Sequence, residues 1–229
     1  QRSVASKGYL EAITWSFTDE QINKFFLTNN KPIRLANPIS SDLTVLRNSI
    51  YPNLIFYLKK NIDRGFENLS LFEIGPSFEG KKPGQQKTVI CGIKTGNVSG
   101  KNWNEQNRSI DVFDIKKDTI QTLVELGLDR NGISIDDKTP QYYHPGKSGV
   151  IFTKKNQKNI LAYFGELHPN IIKELDIKIN AIQGFEIYLD NLVNYKTKNK
   201  KIKSKMNISD FQKSERDFAF VIDKNFKSQ

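Results

Sequence analysis

The chain of 229 residues holds one cysteine, one methionine, two histidines and no long apolar run. Each scarcity excludes something. A lone cysteine, Cys91, can make neither an internal disulfide nor a cysteine-rich zinc site, so a reducing, cytoplasmic setting is the default expectation. Its place in the strand-like "TVICGIK" marks it as a small buried residue. Nothing approaches the ~20 consecutive apolar residues of a membrane span, and no targeting segment is visible. The sequence opens on Gln1 and its methionine is Met206, which reads as a fragment of a longer protein. A G-x-x-x-x-G-K-[ST] loop, a G-x-G-x-x-G turn and a G-x-S-x-G elbow are all missing, so the common phosphate-cradling and serine-nucleophile arrangements lack support.

Positive charge is abundant. Lysine and arginine number 35 against 25 acidic residues, a formal charge of +10. Clustered cations of this kind attract nucleic acid by neutralising phosphates and releasing counterions. Only seven of the 35 are arginines, however, and isoleucine and asparagine are also plentiful, the pattern of AT-rich codons. Charge alone therefore does not assign a nucleic-acid partner.

Short β-branched and aromatic segments predict strands at Glu11 to Phe17 and Pro32 to Pro38. Leu43, Leu46, Ile50, Leu54, Leu58 and Ile62 then recur at helical spacing. Ser41 or Asp42 can cap that helix and Gly65 can end it, while Pro52 predicts a kink or a restart with the proline in the first turn. Further strands are expected at Leu69 to Gly75, Thr88 to Lys94 and Asp111 to Ile115. A helix should run from Lys116 to Leu126, with Ile120, Leu123 and Val124 on one face, and stop at Gly127. "GVIFTKKNQKNILAYFGELHP" has the signature of a hairpin, Pro169 opens a short helix, and "IQGFEIYLDNL" supplies another strand. Without regular βαβ alternation the fold class is α+β. The lysine-dense Tyr195 to Lys205 marks a linker or sheet edge, and "RDFAFVIDKNF" starts a second domain.

Candidate chemistry is thin. His144 and His168 both precede proline, where extended backbone and turns explain them better than a metal site without a third ligand. Asp111, Asp114 and Asp118 can be imagined around Mg²⁺, but local alternation and a helix cap account for them equally well.

Taken together, "GYLEAITWSF", "NPISSDLTVLRNSIYPNLIFYLKKN", "LSLFEIGPSFEG", "DVFDIKKD", "YYHPGKSGVIF", "YFGELHPNIIKELDI", "AIQGFEIYLDNL" and "FQKSERDFAFVID" resemble, in that order, the C-terminal half of the bacterial phenylalanyl-tRNA synthetase β subunit. The resemblance implies a class II aminoacyl-tRNA synthetase-like core, an antiparallel sheet flanked by helices, over residues 1–195. It implies a Lys-rich linker or edge over 196–205, and over 206–229 the incomplete start of a ferredoxin-like anticodon-binding domain. In that family the enzyme is an α2β2 tetramer that uses ATP and Mg²⁺, and the α subunit carries the working site.

Active class II enzymes place an arginine beside a glutamate on their second motif, where its planar fork grips the ATP α-phosphate. Here the matching strand, with Phe72, Glu73 and Gly75, has no arginine between Gly65 and Gln86, and "IQGFEIYLDNL" offers none for the third motif. The resemblance thus implies a kept fold without catalytic, cofactor or metal residues, inactive alone, in which Glu73 is a structural acceptor. Pro38, Leu43, Leu46, Arg47, Leu54 and Leu58 would form a first-motif interface with the α subunit, unless that face only covers its own sheet. Lys201, Lys203, Lys205 and Arg216 are the candidate tRNA contacts, and Phe218 and Phe220 should face a core. Lys117 stands where the family has glycine, which would relax a tight turn. A degenerate ATP-binding enzyme and a freestanding basic RNA-binding module remain the alternatives.

Overall fold

Long complementary strands dominate the computed structural model, which describes residues 1–27, 31–100, 102–104, 107–154, 156–193 and 209–223. The chain divides into two units, Gln1–Thr197 and Lys198–Gln229. In the first, β1 (Leu10–Glu11), β5 (Leu69–Phe78), β6 (Gln86–Thr95), β7 (Ile133–Asp136), β8 (Tyr143–Thr153), β9 (Asn156–Leu167) and β10 (Gln183–Tyr188) form one sheet in the order β1-β5-β6-β10-β9-β8-β7. All neighbours run antiparallel except β1, which lies parallel to β5 at one edge. A small sheet of β2 (Phe17–Thr18), β4 (Val45–Leu46) and β3 (Ile33–Arg34) stands apart from it. The helices are α1 (Arg2–Ala5), α2 (Glu20–Asn23), α3 (Tyr51–Ile62), α4 (Val112–Glu125), α5 (Pro169–Glu174) and α6 (Leu189–Val193). None of the described helices is long and apolar enough to cross a membrane.

Strand alternation sends neighbouring residues to opposite faces. Leu71, Val89, Cys91 and Ile93 therefore join one core, beneath α3 and α5, whereas Phe72, Ile90, Phe185 and Ile187 join another beneath α4. The buried Cys91 matches its expected place, and burial followed by the fields of Glu186 and Glu73 pushes its thiol pKa well up, so it is an inert core residue. The hairpin of β8 and β9, the short helix opened by Pro169 and the restart at Pro52, which occupies the first turn of α3, also agree with the sequence reading.

Other expectations fail for identifiable reasons. No helix spans Ser41 to Ile50, because Val45 and Leu46 pair between two strands. The Arg47 N–H donates to Ser16 (3.1 Å) and its carbonyl accepts from Phe78 (3.0 Å), so tertiary partners took the backbone groups a helix would have used. Glu11 to Phe17 is two short pieces separated by irregular chain rather than one strand.

Asp111 to Ile115 is the start of α4. The Asp111 carboxylate accepts the N–H groups of Phe113 (2.8 Å) and Asp114 (3.2 Å), and Asp114 reaches back to the Asp111 N–H (3.0 Å). A helix cap was part of the sequence reading of these aspartates, but this D-x-x-D capping box starts the helix at Val112, where a strand was expected, and not at Lys116. Lys117 consequently lies inside a helix, and there is no turn for it to relax. Leu123 is fully buried as expected, but Val124 is exposed.

In the second unit, residues 209–223 contain no strand, contrary to the reading of Asp217 to Ile222. The alternation exists, but a strand needs a neighbour to accept its ladder hydrogen bonds. Phe218 and Phe220 are exposed, their rings stacked with centroids 6.2 Å apart, instead of facing a core. The Lys-rich boundary stretch falls outside the described residues.

Candidate functional site

Glu73 projects from the middle of β5 toward the face that α3 covers. Its carboxylate accepts from Thr14 Oγ1 (2.7 Å) and Arg47 Nη1 (2.7 Å). Arg47, the residue that follows β4, is 1% exposed. Its Nε donates to the Pro76 carbonyl (2.9 Å), and Nη1 also reaches Thr14 Oγ1 (3.0 Å) and the Trp15 carbonyl (3.3 Å). A methyl group on Gly75 would collide with the Arg47 guanidinium, so glycine there is what lets the arginine lie flat.

The structure thus brings to the second-motif-like strand an arginine that the local sequence lacks, from 26 residues upstream. It does not restore phosphate chemistry. Nε and Nη1 are directed at protein acceptors, and the side chain is 1% exposed, so the guanidinium is enclosed by the fold and is not presented to an anion.

The same face is closed further along the sheet. Glu186 of β10 is buried and accepts from Ser49 Oγ (2.6 Å) and Tyr142 Oη (2.7 Å). Tyr51, at the start of α3, shares a 2.7 Å hydrogen bond with Tyr143, and a Cβ on Gly184 would stand 2.6 Å from its hydroxyl. Sequence reasoning missed this Glu186, Ser49, Tyr142 set, because its members lie 137 and 44 residues apart. Phe72 points the opposite way, fully buried beneath α4.

Burial raises the Glu186 pKa, while the hydroxyl donors of Ser49 and Tyr142 pull it back only in part. An acid whose pKa is higher folded than unfolded binds more protons in the native state. Its contribution to stability is present below the unfolded value of about 4.3 and is lost as pH rises through the folded value. Glu186→Gln, which keeps the shape and has no charge to desolvate, is expected to flatten that decline. Denaturant unfolding of both proteins across this window checks it, and parallel pH curves would refute it.

Neither histidine presents a metal-site geometry. His144 Nδ1 accepts the Gly146 N–H (3.0 Å), and His168 Nδ1 accepts the Asn170 N–H (3.2 Å) as the N-cap of α5. Asp111 and Asp114 serve the cap of α4, and Arg108 grips Asp114 with both guanidinium nitrogens (2.7 Å each), which holds that carboxyl below its ordinary range. Asp118 instead pairs with Lys94 (2.6 Å) and accepts from Tyr9 Oη (3.0 Å). Among the described residues no group of acidic, histidine or cysteine side chains is arranged to hold a metal ion.

The expected interface residues are scattered by depth. Pro38 is exposed and Leu43 and Leu46 are half-buried, but Arg47, Leu54 and Leu58 are wholly inside, so these three cannot meet a partner directly. Val45 and Ile55, the other apolar positions, are buried too. What remains outside was not read from the sequence. Ala12 N–H donates to Phe72 and Thr14 turns inward to Glu73, so Ile13 and Trp15 turn outward, 92% and 61% exposed. The Trp15 carbonyl accepts from Asn53 Nδ2 (3.0 Å), one turn before the exposed Phe56 and Tyr57 on α3. Of the candidate tRNA contacts, Arg216 is exposed, while Lys201, Lys203 and Lys205 lie outside the described residues.

The family model described as the phenylalanyl tRNA synthetase beta chain CLM domain matches residues 1–189. The chain belongs to the phenylalanyl-tRNA synthetase β-chain family. The phenylalanine–tRNA ligase beta subunit of Paramagnetospirillum magneticum is 40% identical over 223 residues, which are 97% of this chain and 27% of that protein. That of Bartonella quintana is 39% identical over 226 residues, 97% of this chain and 28% of that protein. The chain therefore spans little more than a quarter of the length of these curated relatives. Among solved structures, Desulfitobacterium hafniense PylSc, a pyrrolysyl tRNA synthetase, superposes with a TM-score of 0.59 at 13% identity, covering 84% of this chain and 64% of that one. At that identity the likeness concerns the fold alone, and it agrees with the class II-like core expected for a synthetase β chain.

Proposed function

We propose that this synthetase β-chain module, from the C-terminal half of its subunit, is a non-catalytic assembly element. It docks on the α subunit of an α2β2 phenylalanine–tRNA ligase and supports the ATP- and Mg²⁺-dependent attachment of phenylalanine to tRNA in the cytoplasm, with the chemistry carried by the partner. The observation that carries this reading is the closed sheet face: Arg47 fills the place beside Glu73, and Tyr51 fills the place over Gly184. A module that seals the face a class II enzyme uses for substrate has kept the fold for another use.

Docking supplies that use. Leu10, Ile13 and Trp15, with Phe56 and Tyr57 of α3, expose apolar surface at one sheet edge and on the helix beside it. Fully burying each such side chain contributes about 1.5–3 kcal/mol. Residues 1–195 act as this module, 196–205 as the Lys-rich linker and 206–229 as the beginning of the anticodon-binding domain. In that last part Arg216, with Lys201, Lys203 and Lys205, adds salt-sensitive attraction for tRNA phosphates.

Light scattering of the chain alone and mixed with a phenylalanyl-tRNA synthetase α subunit, with phenylalanine-dependent ATP–pyrophosphate exchange on both samples, tests the proposal. Association in the mixture and no exchange by the chain alone are expected. Exchange by the chain alone would overturn the non-catalytic assignment, and a mixture of unassociated monomers would overturn the docking one.

A further inference from the structure

Asn131 and Gly132 form the only asparagine–glycine pair in the 229 residues. Such a pair has a chemistry of its own. Glycine carries no Cβ to crowd its nitrogen, so that nitrogen can reach the side-chain carbon of the preceding asparagine and close a five-membered ring. Asparagine counts among the thermolabile residues for this kind of reason. The fold adds control over when the ring can close and what its closure disturbs.

Asn131 is exposed and lies in the 3-10 turn Arg130–Gly132, which leads directly into β7. Asp129 caps that turn twice: its carboxylate accepts the Asn131 N–H (3.0 Å), and its carbonyl accepts the Gly132 N–H (2.9 Å). Both bonds oppose reaction. The turn aims the Gly132 nitrogen back at Asp129 and away from the Asn131 side chain. The neighbouring carboxylate also disfavours loss of the Gly132 amide proton, because a second negative charge would form beside the first. Ring closure must therefore wait for the turn to open locally.

The turn also anchors a sheet edge. β7 is the last strand of the large sheet, only four residues long, with β8 as its neighbour. The Gly132 carbonyl accepts the Lys154 N–H (2.9 Å) just ahead of the ladder, which begins with Ile133 opposite Thr153. Leu128 and Ile133, on either side of the turn, are both buried in the core beneath α4. An extra main-chain atom at Asn131 would break the bonds of Gly132 at its nitrogen and its carbonyl and pull Ile133 out of place.

We propose that Asn131–Gly132 is a self-modification site, a deamidation switch gated by Asp129 whose product unpins β7. In the open turn the Gly132 nitrogen, having lost its proton, attacks Asn131 Cγ. The new C–N bond forms, the bond from Cγ to the side-chain nitrogen breaks, and that nitrogen leaves with an added proton as ammonia. No oxidant or reductant is involved. Water then opens the cyclic imide: addition at Cγ gives aspartate, and addition at the main-chain carbonyl gives isoaspartate, whose main chain is one carbon longer. The assignment stands independently of docking to an α subunit.

Incubation of the chain at mildly alkaline pH, followed by peptide mapping with mass spectrometry, tests the site. Asn131 is expected to be the main position where OH replaces NH2, faster as pH rises because the attacking nitrogen must lose a proton. Asp129→Ala, at an exposed position, should speed the reaction roughly fivefold, the usual effect of a lost N-cap on the opening of a turn. Asn131→Gln should abolish it, since a glutamine would have to close a larger ring. In the isoaspartyl product the amides of Ile133–Asp136 should exchange with solvent faster, while those of β5 and β6 keep the rates of the unmodified chain as the folding control. No mass gain at Asn131, an unchanged rate in Asp129→Ala, or an isoaspartyl product with undiminished protection of β7 would each overturn the proposal.

Discussion

Replacing Arg47 with methionine is expected to destabilise the first unit by about 3–5 kcal/mol, the usual consequence of stranding one charge of a buried pair. The guanidinium is 1% exposed and the Glu73 carboxylate almost as deep, so water cannot take over when the partner is removed. The Pro76 and Trp15 carbonyls would lose a donor at the same time. In a unit of this size the loss corresponds to a fall in Tm on the order of 10 °C. Arg47→Lys should recover only part of it, because an ammonium on a flexible stem cannot point at Glu73, Thr14 and two carbonyls at once.

The double variant Arg47→Met with Glu73→Leu separates charge from shape. Removing both charges also removes the cost of desolvating them, so the double variant should be more stable than Arg47→Met alone. Chemical denaturation of the three proteins measures this. A cost below about 1 kcal/mol for Arg47→Met would show that the pair does not hold this face closed.

The second large effect concerns assembly. Ile13→Glu combined with Trp15→Glu should weaken association with the α subunit by at least a hundredfold while Tm changes little. Both side chains are mostly solvent-facing in the isolated chain, so charging them removes little internal contact. In a complex, the same carboxylates would have to be desolvated against apolar surface, and central aromatic residues often dominate interface energetics. Leu54→Ala provides the contrast: that residue is fully buried, so its truncation should cost about 2–5 kcal/mol of stability. Titration of the α subunit against each variant, followed by light scattering, distinguishes them. Undiminished association of the Ile13 and Trp15 double variant would move the interface elsewhere.

Legibility in the sequence followed the range of the interaction. Pro52 announced the start of α3 because its ring fixes its own backbone angle, and the two apolar runs around Lys154 announced the hairpin because both strands and their turn are contiguous. The cap at Asp111 was equally local, but "DVFDI" also alternates, and that alternation placed the expected helix start at Lys116. The segment from Ser41 to Ile50 was not legible in the same way. Its leucines keep helical spacing, and what made Val45 and Leu46 a strand was pairing with Phe17 and Ile33.

The amino-acid order by itself determined the family resemblance, the α+β class and the absence of an arginine on the strand bearing Glu73, since all three are properties of neighbouring residues or of their sequence. Only the tertiary structure decided what stands beside that glutamate. Arg47, Thr14 and Glu73 come from three separate segments, as do Ser49, Tyr142 and Glu186, and a hydrogen bond depends on positions in space that no local spacing encodes. Depth was decided the same way: Leu54 and Trp15 are both apolar, but one is enclosed by the sheet and the other is turned outward by the inward-facing Thr14 beside it.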